Sequence, residues 1–146
     1  MSLTALTSAE ISLPTEADGA RVSDRIAVLA DTVDVVGLTD NHAGQPRMSP
    51  LAAVALAREQ GVGTIVHVSC RDRNRLALHS QVVGAAALGA EAVLCMQGDP
   101  VPGIEHVADM TATQLIASAS AWSAPQPLAV ERETQGDVFG GFVKGL

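Results

Sequence analysis

The chain has 146 residues, enough for one domain with a sizeable core, and its 47% hydrophobic and 17% charged residues describe a folded chain rather than a disordered one. A net charge of −7 with no basic run argues against a nucleic-acid partner, and so does an aromatic content of 2% without tyrosine. Such a chain has neither the cations to follow a phosphate backbone nor the rings to stack bases.

Residues 8–14, Ser-Ala-Glu-Ile-Ser-Leu-Pro, alternate apolar and polar side chains and predict a strand that Pro14 ends. After a loop over Thr15–Gly19, Val22, Ile26, Leu29 and Val33 recur at helical spacing and predict an amphipathic helix. Asp34–Asp40 reads as a second short strand, running into the turn-rich segment Asn41–Arg47. Ser49 is a candidate N-cap with Pro50 at the first helical position, and the second helix is expected over Leu51–Gln60, stopped by Gly61.

Thr64–Cys70 is the best-marked strand, rich in Val and Ile. Period-two alternation puts Ile65, His67, Ser69 and Arg71 on one face and Val66, Val68 and Cys70 on the other. The apolar face can carry a helix, so His67 and Arg71 are expected to face whatever the protein binds. A polar turn, Arg71-Asp72-Arg73-Asn74, leads into a third helix from about Arg75 to Leu88, ended by Gly89. A fourth strand is expected over Ala92–Gln97, running into Gly98-Asp-Pro100, and a fourth helix over roughly Thr111–Ala121. Pro125 and Pro127 break the chain, Pro127–Val130 could start a fifth strand, and the glycine-rich remainder carries no clear period.

This order predicts a single α/β domain over residues 1–146, with four βα units over residues 9–124 and an irregular or partner-contacting tail over 125–146. Alternating strands and helices with short connections imply parallel strands joined by right-handed crossovers. Each predicted strand keeps one polar or small face (Ser8/Glu10/Ser12, Gly37/Thr39/Asn41, His67/Ser69/Arg71 and Cys95/Gln97/Asp99). A doubly wound sheet, covered on both sides, would read apolar throughout. The pattern therefore favours half of a (β/α)8 barrel, with helices outside and a polar interior mouth. A complete barrel needs about 250 residues, so the half is expected to be completed by association, since unpaired strand edges recruit other strands.

Binding sites in such folds lie beyond the C-terminal ends of the strands. That rule gathers Thr39, Asp40, Asn41, His42, His67, Ser69, Arg71, Gln97, Gly98 and Asp99 into one neighbourhood, with Glu10 further down the first strand. A carboxylate inside an alternating strand lies either on a solvent edge or in a cavity. In a cavity, partial desolvation would suit Glu10 to donate a proton near neutral pH. His67 is by itself an ordinary strand histidine, notable for its company. Cys70 and Cys95 sit in apolar runs without paired metal-ligand spacing and read as buried free thiols of a reducing cytoplasm; no His/Asp/Glu spacing reads as a metal site. The first residues lack a basic stretch followed by a long apolar core, and no apolar run approaches the ~20 residues of a membrane span, so a cytoplasmic protein is expected. Neither a dinucleotide nor a P-loop glycine fingerprint is present.

Five segments stand out in order: Glu10-Ile-Ser-Leu-Pro14, Val36-Gly-Leu-Thr-Asp-Asn41, His67-Val-Ser-Cys-Arg-Asp-Arg-Asn74, the run Leu78–Gly89, and Met96-Gln-Gly-Asp-Pro100. Together they resemble methylenetetrahydrofolate reductase. The resemblance covers residues 9 to about 100. It implies a TIM barrel with FAD that passes a hydride from NAD(P)H to 5,10-methylenetetrahydrofolate, giving 5-methyltetrahydrofolate. It further implies catalytic roles for Glu10, as the general acid that opens the folate ring, and for Asp99, between flavin and pterin. Thr39, His67, Gln97, Gly98 and Asp99 fall on cofactor-binding positions. The chain departs from the pattern in three places: Leu13-Pro14 replaces a double proline, Gln97 replaces the usual arginine before Gly-Asp, and the second half of the barrel is missing. The expectations are thus a folate-reducing flavoprotein completed as a homo-oligomer or by a partner chain or, alternatively, a non-catalytic folate- or flavin-binding accessory module or truncated remnant acting in an oligomer.

Overall fold

Four βα units follow one another between Ser8 and Trp122: β1 (Ser8–Ile11), α1 (Gly19–Leu29), β2 (Val35–Leu38), α2 (Pro50–Glu59), β3 (Gly63–Ser69), α3 (Arg75–Ala87), β4 (Ala92–Met96) and α4 (Ala112–Trp122). The computed structural model describes residues 7–123 and the backbone of two further strands, β5 (Ala129–Glu131) and β6 (Gly140–Lys144). Strands β1 to β4 pair in parallel and in sequence order, the content of half a (β/α)8 barrel.

Each helix begins where a side chain can accept from its first amide groups, which otherwise lack partners. Asp18 accepts from Arg21 N at 2.9 Å and starts α1 before the apolar stripe at Val22. Ser49 accepts from Leu51 N with Pro50 behind it, as expected. Asn74 caps α3 through Ala77 N at 3.0 Å, and Thr111 and Gln114 form a reciprocal capping box on α4. Helix α1 ends at Leu29, short of Val33, which is partly buried against the core from the following turn.

The apolar faces of the strands meet the helices in one continuous core. Ile11, Val36, Leu38, Val66, Val68, Val93 and Cys95 pack with Val22 and Ile26 of α1, Val54 of α2, Leu78 and Val82 of α3, and Leu115 of α4. One core, on one side of the sheet, is what a barrel wall needs, and it frees the other side to line a cavity. Strand β4 has the opposite phase to the one expected. Cys95 is fully buried among the core residues, whereas Met96 lies on the cavity side, so the inward face of β4 is more apolar than the pairing Cys95/Gln97 implied.

The outer edge of β4 is not left open. β6 pairs with it antiparallel, Leu94 opposite Phe142, and β5 pairs antiparallel with β6, giving the sheet order β1-β2-β3-β4-β6-β5. β5 overlaps the fifth strand expected over Pro127–Val130, whose first residues lie outside the described ones. Most of the expected 125–146 tail likewise lies outside them.

Candidate functional site

At the C-terminal ends of the parallel strands lies a cavity of about 790 Å³, within the size range of small-molecule sites. Glu10, Thr39, His67, Gln97, Gly98 and Asp99, the positions singled out from the sequence, all line it, as do Ser69 and Arg71.

The centre of the site is a meeting of β1 and β3 across β2. Register places Glu10 opposite Gly37, and the missing side chain there leaves the gap in which Glu10 and His67 approach: His67 Nε2 lies 3.6 Å from Glu10 Oε1. A Cβ at Gly37 would stand 3.1 Å from Glu10 Cγ and 3.2 Å from His67 Nε2. The two partners differ in exposure, with the His67 side chain 6% exposed and that of Glu10 63%. Of the two places open to it, Glu10 combines both: it lines the cavity yet stays open to solvent, and within this chain it lacks the burial on which the desolvation argument for a proton donor depends. Burial holds the His67 ring below its ordinary pKa of 6.5, and the charges of Glu10 and Asp40 oppose this only in part, so the imidazole is neutral at neutral pH. Among the described residues His67 makes no hydrogen bond.

The polar turn after β3 ties the rim together. Arg71 is 5% exposed, and its guanidinium holds Asp72 through two hydrogen bonds of 2.7 and 2.9 Å. It also donates to the carbonyl of Asp99 at 3.2 Å and to that of Asn41 at 3.1 Å, joining the loops after β2, β3 and β4. This pairing keeps the Asp72 carboxyl below its ordinary pKa and raises that of Arg71. Arg73 forms a two-pronged ion pair with Asp40, whose Oδ2 also accepts from Ser69 N at 2.9 Å. Arg47 donates to the carbonyls of Leu13 and His42, fastening the loop after β2 to the end of β1. Each of these guanidinium groups is engaged inside the protein.

The loop after β2 is backbone-strained where it enters the site. Asn41 and Ala43 both have positive φ, at 42° and 57°. Asn41 lines the cavity as expected and also ties the loops together, its carbonyl accepting from Arg71 and its Oδ1 from Arg47 N. Thr39 is buried and donates its hydroxyl to the Ile11 carbonyl at 3.1 Å. Gly98, at φ 81°, stands where a Cβ would collide with Ser69 Oγ and lie 2.8 Å from Arg71 Cβ, so no side chain fits. Gln97 lines the cavity, yet its Oε1 accepts from Ala112 N at 3.0 Å and so extends the cap of α4.

Sequence reasoning missed the spacing role of Gly37 and the Asp40–Arg73 pair. A glycine in the middle of the apolar strand Val35–Leu38 was the available signal for the first, because strand glycines mark close approach. No pattern in sequence announces the second, whose partners are 33 residues apart. Cys70 and Cys95 are buried free thiols with pKa values pushed by burial up to about 11 and about 12, too high for either to act as a nucleophile. Among the described residues no group of three or more His, Cys, Asp or Glu side chains converges to hold a metal ion, and no helix is long and apolar enough to cross a membrane.

No curated protein matches the chain. The family model described as methylenetetrahydrofolate reductase matches residues 2–141, which include every strand and helix that lines the cavity or packs behind it except the last residues of β6. The five motifs, their gathering at the strand ends and a match over nearly all 146 residues agree: the chain belongs to the methylenetetrahydrofolate reductase family.

Proposed function

We propose that the chain is a short, flavin-dependent reductase of 5,10-methylenetetrahydrofolate, using NAD(P)H as reductant and giving 5-methyltetrahydrofolate. The observation that carries this reading is the placement of Glu10, His67 and Asp99 around one cavity, with Gly98 giving it a side-chain-free floor. These residues fit the ring portion of a flavin. They do not fit its diphosphate equally well, because Arg71 and Arg73 are engaged by Asp72 and Asp40, and Gln97 replaces the family's usual arginine. FAD is therefore the proposed cofactor, with the charge for its diphosphate supplied by an associated chain.

When bound, a flavin supplies the two-electron chemistry. Glu10 protonates the folate as its ring opens. Asp99, its backbone held by Arg71, stands at the rim with an exposed carboxylate that orients polar atoms of either ring system. Thr39 and His67 support the flavin from the strand ends. An associated chain covering Glu10 would exclude water and raise its proton affinity. We place the protein in the cytoplasm as a homo-oligomer or bound to a partner chain.

The test begins with the visible spectrum of the purified protein, expected to be that of an oxidised flavin. Glu10→Gln should abolish folate reduction and leave reduction of the flavin by NAD(P)H intact; loss of both half-reactions would contradict the acid role. A second reading, a folate- or flavin-binding module without turnover, draws on Gln97, which stands before Gly98-Asp99 without a cationic group and has its Oε1 engaged by Ala112 N of α4. It predicts binding of either ligand without product from any nicotinamide donor.

A further inference from the structure

We infer that His67 is a positioning partner of Glu10, and that the two handle a proton as one pair assembled across the gap left by Gly37. Three observations meet here. The His67 side chain is 6% exposed, lines the cavity and makes no hydrogen bond among the described residues. Its Nε2 faces Glu10 Oε1 at 3.6 Å, a few tenths of an ångström beyond a hydrogen bond. Gly37, set between them by the β1–β2–β3 register, is the residue whose lack of a side chain permits the approach.

The charged surroundings single out Glu10 as the ring's partner. Asp40, after β2, is already paired with Arg73, and Arg71, after β3, is held by Asp72. Asp99, after β4, lines the same cavity along with His42 and His106. Glu10 of β1 has no cationic partner among the described residues other than His67 when that ring is protonated.

In this arrangement the neutral ring carries its proton on Nε2 and donates it toward Oε1, fixing the carboxylate at the cavity wall. When Nδ1 takes a proton from the cavity, the N–H bond at Nε2 breaks as a bond to Oε1 forms. The ring stays neutral, now protonated on Nδ1, and Glu10 becomes the neutral acid. One proton has crossed the pair, and nothing is oxidised or reduced. In the single chain Glu10 is exposed, and the buried imidazole gives it a route to a proton that does not depend on its own burial. The pair is a property of this chain's own strands; the acid role it serves rests on the folate-reductase reading.

The experiment is a pH titration of the ligand-free protein with 15N-labelled histidine, followed by two-bond proton–nitrogen correlations, with His67 assigned from the His67→Gln spectrum. In the parent, His67 is expected to titrate below 6.5 and to carry its neutral-form proton on Nε2. Glu10→Gln removes an exposed carboxylate and should fold normally; it should lower the His67 midpoint by about 0.5–1 pH unit, the effect of one charge at this distance in a largely aqueous setting. Gly37→Ala, which retains the carboxylate but fills the gap, should shift the midpoint the same way. An unchanged midpoint in folded Glu10→Gln, or an Nδ1–H tautomer in the parent, overturns the pair. Because the titration needs neither flavin nor folate, an intact pair in a protein without turnover would remove the reductase reading alone. Turnover with an unshifted midpoint would remove the pair alone.

Discussion

Asp40 shows how much of the site rests on single side chains. Its carboxylate is 1% exposed and holds both Arg73 and the Ser69 amide. Replacing it leaves a mostly buried guanidinium and a buried N–H without acceptors, a loss near the lower end of the range for broken buried pairs. Asp40→Ala should cost about 3 kcal/mol in urea unfolding, and it should lower the His67 midpoint as well, since Asp40 is one of the charges favouring the protonated ring. His67 itself makes stability depend on pH. Its folded pKa lies below the ordinary 6.5, so between the two values the unfolded chain binds more protons than the folded one. Stability is therefore full above about 6.5, falls as the pH drops from there toward the folded value, and levels off below it. Urea midpoints at about pH 7.5 and about pH 5.5 should differ in the parent and differ less in His67→Gln. The depressed Asp72 carboxyl adds a second loss at more acidic pH, with the same sign.

Among the elements, α4 gives Gln97 a structural task. The helix is capped by Thr111 and Gln114, and Gln97 supplies a further acceptor, to Ala112 N. An arginine has only donors and could not do this. Gln97→Arg should therefore remove about 1 kcal/mol of stability, the size of a lost cap hydrogen bond. It should at the same time place a free cation at the cavity rim. Thermal denaturation should show the loss, and titration with FAD should show tighter binding than in the parent. Tighter binding of riboflavin to the same degree would contradict the argument, because riboflavin has no phosphate for the new charge to meet. The predicted elements themselves were largely visible in the chain. Ser49-Pro50, Asn74 and Thr111 marked helix starts because caps are local chemistry, and the strands declared themselves through Val and Ile. The phase of β4 is illegible for the opposite reason: in Ala92–Met96 both faces are apolar, so period two has nothing to distinguish them.

For the whole molecule, the issue is how half a barrel closes. β6 covers the outer edge of β4 in antiparallel register, whereas a complete barrel would continue there with a parallel strand. Among the described residues, β1 is paired on the β2 side alone, and Glu10 sits on that strand. An exposed strand edge beside an uncovered carboxylate is the natural place for the proposed associated chain to add, closing the cavity over Glu10. Light scattering should then give at least twice 15.0 kDa for the protein alone, or a mass above 15.0 kDa with a co-purifying partner. A 15.0 kDa particle that nevertheless reduces folate would show that the half suffices.

The order of the βα units, the helix caps and the polar character of the strand ends are legible in the residue order, because these depend on residues within a few positions of one another. The motif set by which the family is recognised is legible there too. Which polar residues touch is set by the fold. Glu10 and His67 are 57 residues apart by number and meet only because β2 offers a glycine between them. Arg71, prominent in sequence but without a role there, proved to be the residue that joins three loops, since its partners Asn41 and Asp99 are backbone carbonyls whose positions no side-chain pattern encodes. Exposure was likewise a tertiary outcome. An alternating strand shows that a carboxylate lies on one face, but only the arrangement of neighbouring strands shows whether that face is covered, and in this chain Glu10 is left open to solvent.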